Sequence, residues 1–243
     1  MNKIKIISYT LFLLFTSTLL GNTGDSTHPH KRQFGIIYSP EYAYRNLRSS
    51  SDDLSSIVSL RNDLEIPKFG YSTGFSFSYQ PALNYAFEVQ LLFSDKGEQT
   101  KKYEFRNAYD RLKEDRVPAY NSFVNHYYYL DVPLKLNYFI INKKVKLFLS
   151  AGISTNLFLY QKTNSTIENK NGSIEKVSNI YHPRFENINI AIITGFGMTY
   201  PMTDKCIFKI EPLYKRSITS VVNHPVKTYF YSIGVNFGLS FSF

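Results

Sequence analysis

Between Thr228 and Phe243 the chain alternates almost without fault. The odd positions Tyr229, Tyr231, Ile233, Val235, Phe237, Leu239, Phe241 and Phe243 are large and apolar. The even positions Thr228, Ser232, Gly234, Asn236, Gly238, Ser240 and Ser242 are small or polar, and Phe230 alone breaks the rule. A period of two over this length predicts a β-strand with one class of residue on each face. A polar face turned to bulk water would carry charges, whereas this one carries glycine, serine and asparagine. Small polar side chains suit the crowded interior of a narrow barrel, and bulky apolar ones suit lipid. The odd face, Tyr231 to Phe243, is therefore expected to meet the membrane.

The same test predicts seven further strands, at 33–46, 68–80, 83–94, 126–141, 144–160, 185–200 and 205–217. On the second, Phe69, Tyr71, Phe75, Phe77 and Tyr79 alternate with Gly70, Ser72, Gly74, Ser76 and Ser78. On the fourth, Tyr128, Leu130, Val132, Leu134, Leu136, Tyr138 and Ile140 share the apolar face. The connections alternate as well. Those at 80–82, 142–143 and 201–204 are short, whereas those at 47–67, 95–125 and 161–184 are long and polar. Short turns on one rim and long loops on the other is the outer-membrane arrangement, turns periplasmic and loops extracellular. The expected fold is thus all-β: an eight-stranded antiparallel up-and-down transmembrane β-barrel over residues 33–243. In the third long loop, Asn171-Gly172 between Thr166-Ile167-Glu168 and Ser173-Ile174-Glu175 predicts a hairpin turn. Strands five and six are expected to continue above the membrane as a ribbon closed there.

The amino-terminal stretch agrees with export. Lys3 and Lys5 precede an apolar run from Ile6 to Leu20, the n- and h-regions of a secretory signal peptide. We place the signal at residues 1–22, with cleavage between 21 and 27. No other apolar run is long enough for a spanning helix. The absence of Trp beside 20 Tyr and 20 Phe makes tyrosine and phenylalanine the candidates for interfacial girdles. One cysteine, Cys206, leaves no internal disulfide and reads as a small apolar strand residue. The formal charge of +9 falls to +7 without the signal, and much of it lies between strands. Solvated loops facing the phosphates of an outer leaflet account for that charge better than nucleic acid, which an exported protein rarely meets.

Taking each polar face as inward places four acids, Glu41, Glu88, Asp131 and Glu211, opposite four bases, Arg45, Lys135, Lys209 and Lys215. Charges confined in so narrow a bore must be paired, so a lumenal ion-pair network is expected. It reads as a structural plug, with a proton or ion path as the functional alternative. Asp131 and Lys135 lie four apart on one strand, about 13 Å at roughly 3.3 Å per residue, so each needs a partner on a neighbouring strand. Catalysis would require a nucleophile and base at the extracellular rim, where Ser122 and His126 are the nearby pair. His28 and His30 could hold a metal at i, i+2 but lack a third ligand. No cofactor motif is present.

Residues Tyr128-Tyr129-Leu130-Asp131-Val132-Pro133-Leu134-Lys135-Leu136-Asn137-Tyr138 resemble the "YLEIPLLLKY" strand of the PorT-like outer-membrane barrels of Bacteroidota. Val145-Lys-Leu-Phe-Leu-Ser-Ala-Gly-Ile-Ser, Gly195-Phe196-Gly197 and Glu211-Pro212-Leu213-Tyr214 are similar to its following strands. The resemblance implies a bacterial outer-membrane barrel, and the type member's association with protein secretion implies partners in surface assembly. It brings no catalytic motif. The expectation is a non-enzymatic barrel, structural or binding a protein partner through its loops. Outer-membrane lipid and lipopolysaccharide would surround it, and the barrel-assembly machinery would insert it. A barrel enzyme acting at the rim and a soluble lipocalin-like binder are the alternatives.

Overall fold

The computed structural model describes residues 31–49, 51–104, 118–181, 185–222 and 224–243. The expected signal peptide, His28 and His30 lie outside them. Ten strands form: β1 (Lys31–Ser49), β2 (Glu65–Ala82), β3 (Tyr85–Thr100), β4 (Tyr103–Glu104), β5 (Pro118–Asn142), β6 (Lys146–Asn169), β7 (Ile174–Tyr181), β8 (Ile188–Pro201), β9 (Cys206–Ser217) and β10 (Val226–Ser242). Eight of them close a ring in the order β5-β3-β2-β1-β10-β9-β8-β6, with β5 paired back onto β6. Every neighbouring pair is antiparallel, and β1 meets β10 in register from Gln33↔Ser242 to Ser49↔Val226. Closure removes every edge from the membrane-facing ring, as a bilayer requires.

The alternation sorts the side chains to the two sides. On β1, Ile36, Tyr38 and Tyr42 are about half exposed while Ile37, Ser39, Glu41, Ala43 and Arg45 are buried. On β10, Ile233, Phe237, Leu239, Phe241 and Phe243 are exposed and Ser232 and Asn236 are buried, with Tyr231 and Val235 on the outer face between them. Phe230, the one exception to the pattern, points inward. It is 4% exposed and packs with Tyr127, Tyr129 and Val221 into an apolar plug, joined by Phe158, Phe185 and Val222. A large apolar residue out of phase thus marks where the lumen stops being polar.

Three features differ from the sequence expectation. The strands run further on the long-loop side. β3 reaches Thr100 and β5 begins at Pro118, so much of the expected loop 95–125 is strand. Above the membrane both faces meet water or the polar lumen, so hydrophobic alternation fades while the ladder continues. The loop expected at 47–67 contains a helix, α1 (Ser55–Leu64). It ends where Glu65 turns to an extended conformation and its carboxylate accepts hydrogen bonds from Arg61 Nε and Arg45 Nε, both at 2.6 Å. The sixth barrel strand starts at Ile188, because Phe185 turns into the plug and bridges Val222.

The ribbon closes at Asn171-Gly172 as the sequence predicts. Gly172 takes φ 82, a left-handed conformation that favours glycine, and the Asn171 side chain accepts from the Ser173 backbone N–H at 2.9 Å. β6 pairs with β7 from Gln161↔Tyr181 to Glu168↔Ile174, and β5 joins on the other side through Pro118↔Asn169 to Tyr128↔Tyr160. The projecting element is therefore a sheet, and β7 ends before β8 begins.

Candidate functional site

The lumen is built in layers, each set by the inward phase of its strands. Nearest the short turns, Glu88 on β3, Lys135 on β5, and Lys209 and Glu211 on β9 form an alternating quartet. Lys135 Nζ lies 2.7 Å from Glu211 and 3.6 Å from Glu88, and Lys209 Nζ lies 2.6 Å from Glu88 and 3.0 Å from Glu211. Gln90 and Asn137 donate to Glu88, while Ser150 and Asn236 donate to Glu211. Two acids and two bases, none more than 8% exposed, thus cancel one another with their remaining lone pairs satisfied.

The next layer joins Glu41 to Lys215 at 2.6 Å and Asp131 to Lys96 at 2.8 Å. Ser72 donates to Glu41, and the one hydroxyl proton of Ser94 has Asp131 at 2.7 Å and Ser72 at 2.8 Å as its alternative acceptors, so the two serines bridge the two pairs. Asp131 and Lys135 do not meet: each pairs across strands. Arg45 sits higher and binds Glu65, which also accepts from Arg61 of α1. All eight residues singled out from the sequence are buried within the barrel. The partners Lys96 and Glu65, and the buried acid Glu98, lie in segments that the alternation reads as loops, 47–67 and 95–125. Lys96 and Glu98 continue the even phase of Glu88, Gln90 and Ser94, so extending that phase past residue 94 was the signal that would have found them.

The void beside Lys96, Ser154 and Lys215 is about 20 Å³, room for one water molecule. Above it stands the aromatic plug, and the site holds its charges in fixed pairs.

At the top of the barrel His126 Nδ1 lies 2.9 Å from both Asp95 Oδ2 and Lys68 Nζ, and its Nε2 meets Asn164 at 3.2 Å. Its ring stacks on Tyr128. Ser122 is opposite Thr166 and His126 opposite Lys162 on the same strand pair, so the two residues stand about 13 Å apart along β5. The structure does not bring this nucleophile and base together. Among the described residues no group of three or more His, Cys, Asp or Glu could hold a metal ion.

Glu98 stands apart from the paired acids. It lies beyond Phe93, the last outward apolar residue of β3, in the extracellular extension, and follows Gly97, which takes a φ of 142. It is 1% exposed and accepts hydrogen bonds from Tyr127 Oη at 3.0 Å and Asn125 Nδ2 at 3.1 Å. Burial, with the Glu65 carboxylate adding to it, pushes its pKa from 4.5 to about 7. A carboxyl whose folded pKa is raised contributes stability below pH 4.5 that is lost as pH rises through about 7. Glu98→Gln, which keeps a neutral side chain, is expected to stabilise the extracellular end at pH 8 by at most about 3 kcal/mol and to do little at pH 4.5. Amide exchange across β3 and β5 at the two pH values checks this, and an equal effect at both would contradict it.

An eight-stranded closed ring with an apolar outer belt, short turns on one rim and a charged lumen defines an outer-membrane β-barrel protein. The family described as "Outer membrane protein beta-barrel domain" matches residues 44–221, and the chain belongs to it. No curated protein matches the chain. Among solved structures it is similar to Neisserial surface protein A, with 13% identity and TM-score 0.41, covering 88% of this chain and 97% of that one. It is similar also to OprG of Pseudomonas aeruginosa, with 12% identity and TM-score 0.46, covering 88% and 95%. The attachment invasion locus protein Ail of Yersinia pestis shares 13% identity at TM-score 0.35, covering 87% and 99%.

Proposed function

We propose that this outer-membrane barrel is not an enzyme and serves as a rigid post for an extracellular protein-docking sheet. The observation that carries this reading is the sheet of β4, β5, β6 and β7 standing beyond the apolar belt. β7 is exposed along its whole length, with Ile174, Val177, Ile180 and Tyr181 each between 41% and 64% exposed. Its outer edge has no neighbouring strand among the described residues. An unpaired edge flanked by exposed apolar side chains suits an added strand from a partner, whose main chain would bond to β7. The resemblance of Tyr128–Tyr138 to the PorT-like strand supports partners in secretion or surface assembly. Insertion by the barrel-assembly machinery and an annulus of lipopolysaccharide belong to the same reading.

Cross-linking on intact cells followed by purification of the tagged protein tests it. The wild type is expected to capture a protein partner. Ile174→Ser/Val177→Ser/Ile180→Ser should lose that partner while heat-modifiable migration on gels stays unchanged. Equal capture by both proteins, or capture by neither, would defeat the docking role. Purified protein in planar bilayers should show no stable conductance, and steady ohmic current would make a pore the better reading.

A further inference from the structure

The short-turn rim has a charge pattern opposite to the lumen above it. Inside the barrel Lys96, Lys135, Lys209 and Lys215 each lie within 2.8 Å of a carboxylate. At the periplasmic mouth a cavity of about 760 Å³ is lined by Lys31, Lys143, Lys144 and Lys146, with Asp204 the one acid in its wall. Among the described residues no carboxylate lies within 4.0 Å of any of these four lysines. Lys146 reaches across the mouth from the start of β6 to Gln80 Oε1 on β2, at 3.3 Å, and its ammonium lies over the Phe139 ring, 5.1 Å from the centroid. Lys31 enters from β1, where it pairs with Gln80. Burial and the Lys31 charge both disfavour the ammonium of Lys146. Four lysines against one acidic side chain leave the wall of this cavity net positive, a field that attracts an incoming anion.

We propose that this periplasmic vestibule binds an acidic peptide segment through its carboxylates. The cavity reaches the inward residues Ser78, Ala86 and Ser242 at the foot of the lumen. The cations also ring the mouth. Lys31 comes from β1, Lys143 and Lys144 from the β5–β6 turn and Lys146 from the start of β6, two strands, β2 and β3, lying between β1 and β5. Separate ammonium groups suit several carboxylates spaced along an extended chain, at up to about 3.6 Å per residue, better than one compact phosphate. The inference is independent of the docking sheet at the other end.

The test is fluorescence anisotropy of labelled hexaglutamate against the full-length protein in neutral detergent. Saturable, salt-sensitive binding is expected. Lys144→Gln/Lys146→Gln, and separately Lys31→Gln, should weaken it, the double variant by about tenfold or more, whereas Lys101→Gln/Lys102→Gln at the extracellular end should leave it unchanged. Heat-modifiable migration establishes that each variant is folded, and Lys146→Arg should retain binding. Absent binding, equal binding by the vestibule variants, or equal loss in the extracellular control would overturn the proposal. Displacement by inorganic phosphate at matched charge concentration would overturn its peptide part and assign the vestibule to phosphate instead.

Discussion

Leu134→Arg and Val235→Arg are each expected to destabilise the folded barrel by about 2–4 kcal/mol, the cost of an arginine on the lipid face near the bilayer midplane. On β5 the outward series runs from Tyr128 to Tyr138, with Leu134 near its middle and opposite Val89 and Ile153 of the flanking strands. The tyrosines at the two ends mark the interfaces, where an amphipathic ring has a polar tip in reach of water. Val235 has the corresponding place on β10, opposite Pro212. An arginine at either position would have no lumenal carboxylate to meet and could reach water only by distorting the bilayer. Lys101→Glu, on an exposed residue between β3 and β4, should be close to neutral. Urea titration of barrels folded into lipid vesicles, read by heat-modifiable migration, measures all three. Equal midpoints would show that the odd face of β10 does not meet lipid.

The second large effect belongs to the quartet. Lys135→Met removes one of two buried cations and leaves Glu88 and Glu211 sharing Lys209. One uncompensated charge then remains in the bore, which is expected to cost about 3–5 kcal/mol. Removing an acid as well, in Lys135→Met/Glu211→Gln, restores neutrality and keeps the Glu88–Lys209 contact at 2.6 Å. The double variant should therefore be more stable than the single one, a reversal that simple additivity forbids. The same urea titration separates the cases. If the double variant is as unstable as the sum of its two singles, the quartet is not coupled.

The membrane-spanning part of this protein was legible because two solvents select residues so differently. Lipid accepts Ile233, Phe237 and Phe241 but not Ser232 or Asn236, and a strand alternates its faces every residue, so the solvent is written into the sequence with period two. Three short turns were legible for the same reason, since the alternation stops near them. They close at 83–84, 143–145 and 202–205, slightly beyond the expected 80–82, 142–143 and 201–204, because the backbone ladder persists after the hydropathy contrast has ended. The Asn171-Gly172 turn was legible through chemistry local to two residues. Strand continuation above the membrane was not. Beyond Phe93 and before Tyr128 the outer solvent is water, so Lys96, Glu98 and Asn125 carry no hydropathy contrast although the ladder persists.

Which residues face inward can be read one strand at a time: Glu41, Arg45, Glu88, Asp131, Lys135, Lys209, Glu211 and Lys215 each follow from the phase of a single strand. Who pairs with whom cannot. Partners such as Lys135 with Glu211, or Lys215 with Glu41, lie on strands far apart in the chain, and their meeting depends on the register and stagger set when the sheet closes. The plug of Tyr127, Phe185, Val221 and Phe230 was hidden likewise, because Tyr127 and Phe230 come from two separate strands and Phe185 and Val221 from two connections. So was the ring of lysines at the periplasmic mouth, since barrel closure alone brings Lys31 and Lys146 to the same cavity. Periodicity reports the environment of a residue along its own strand, and closure is a property of all eight strands together.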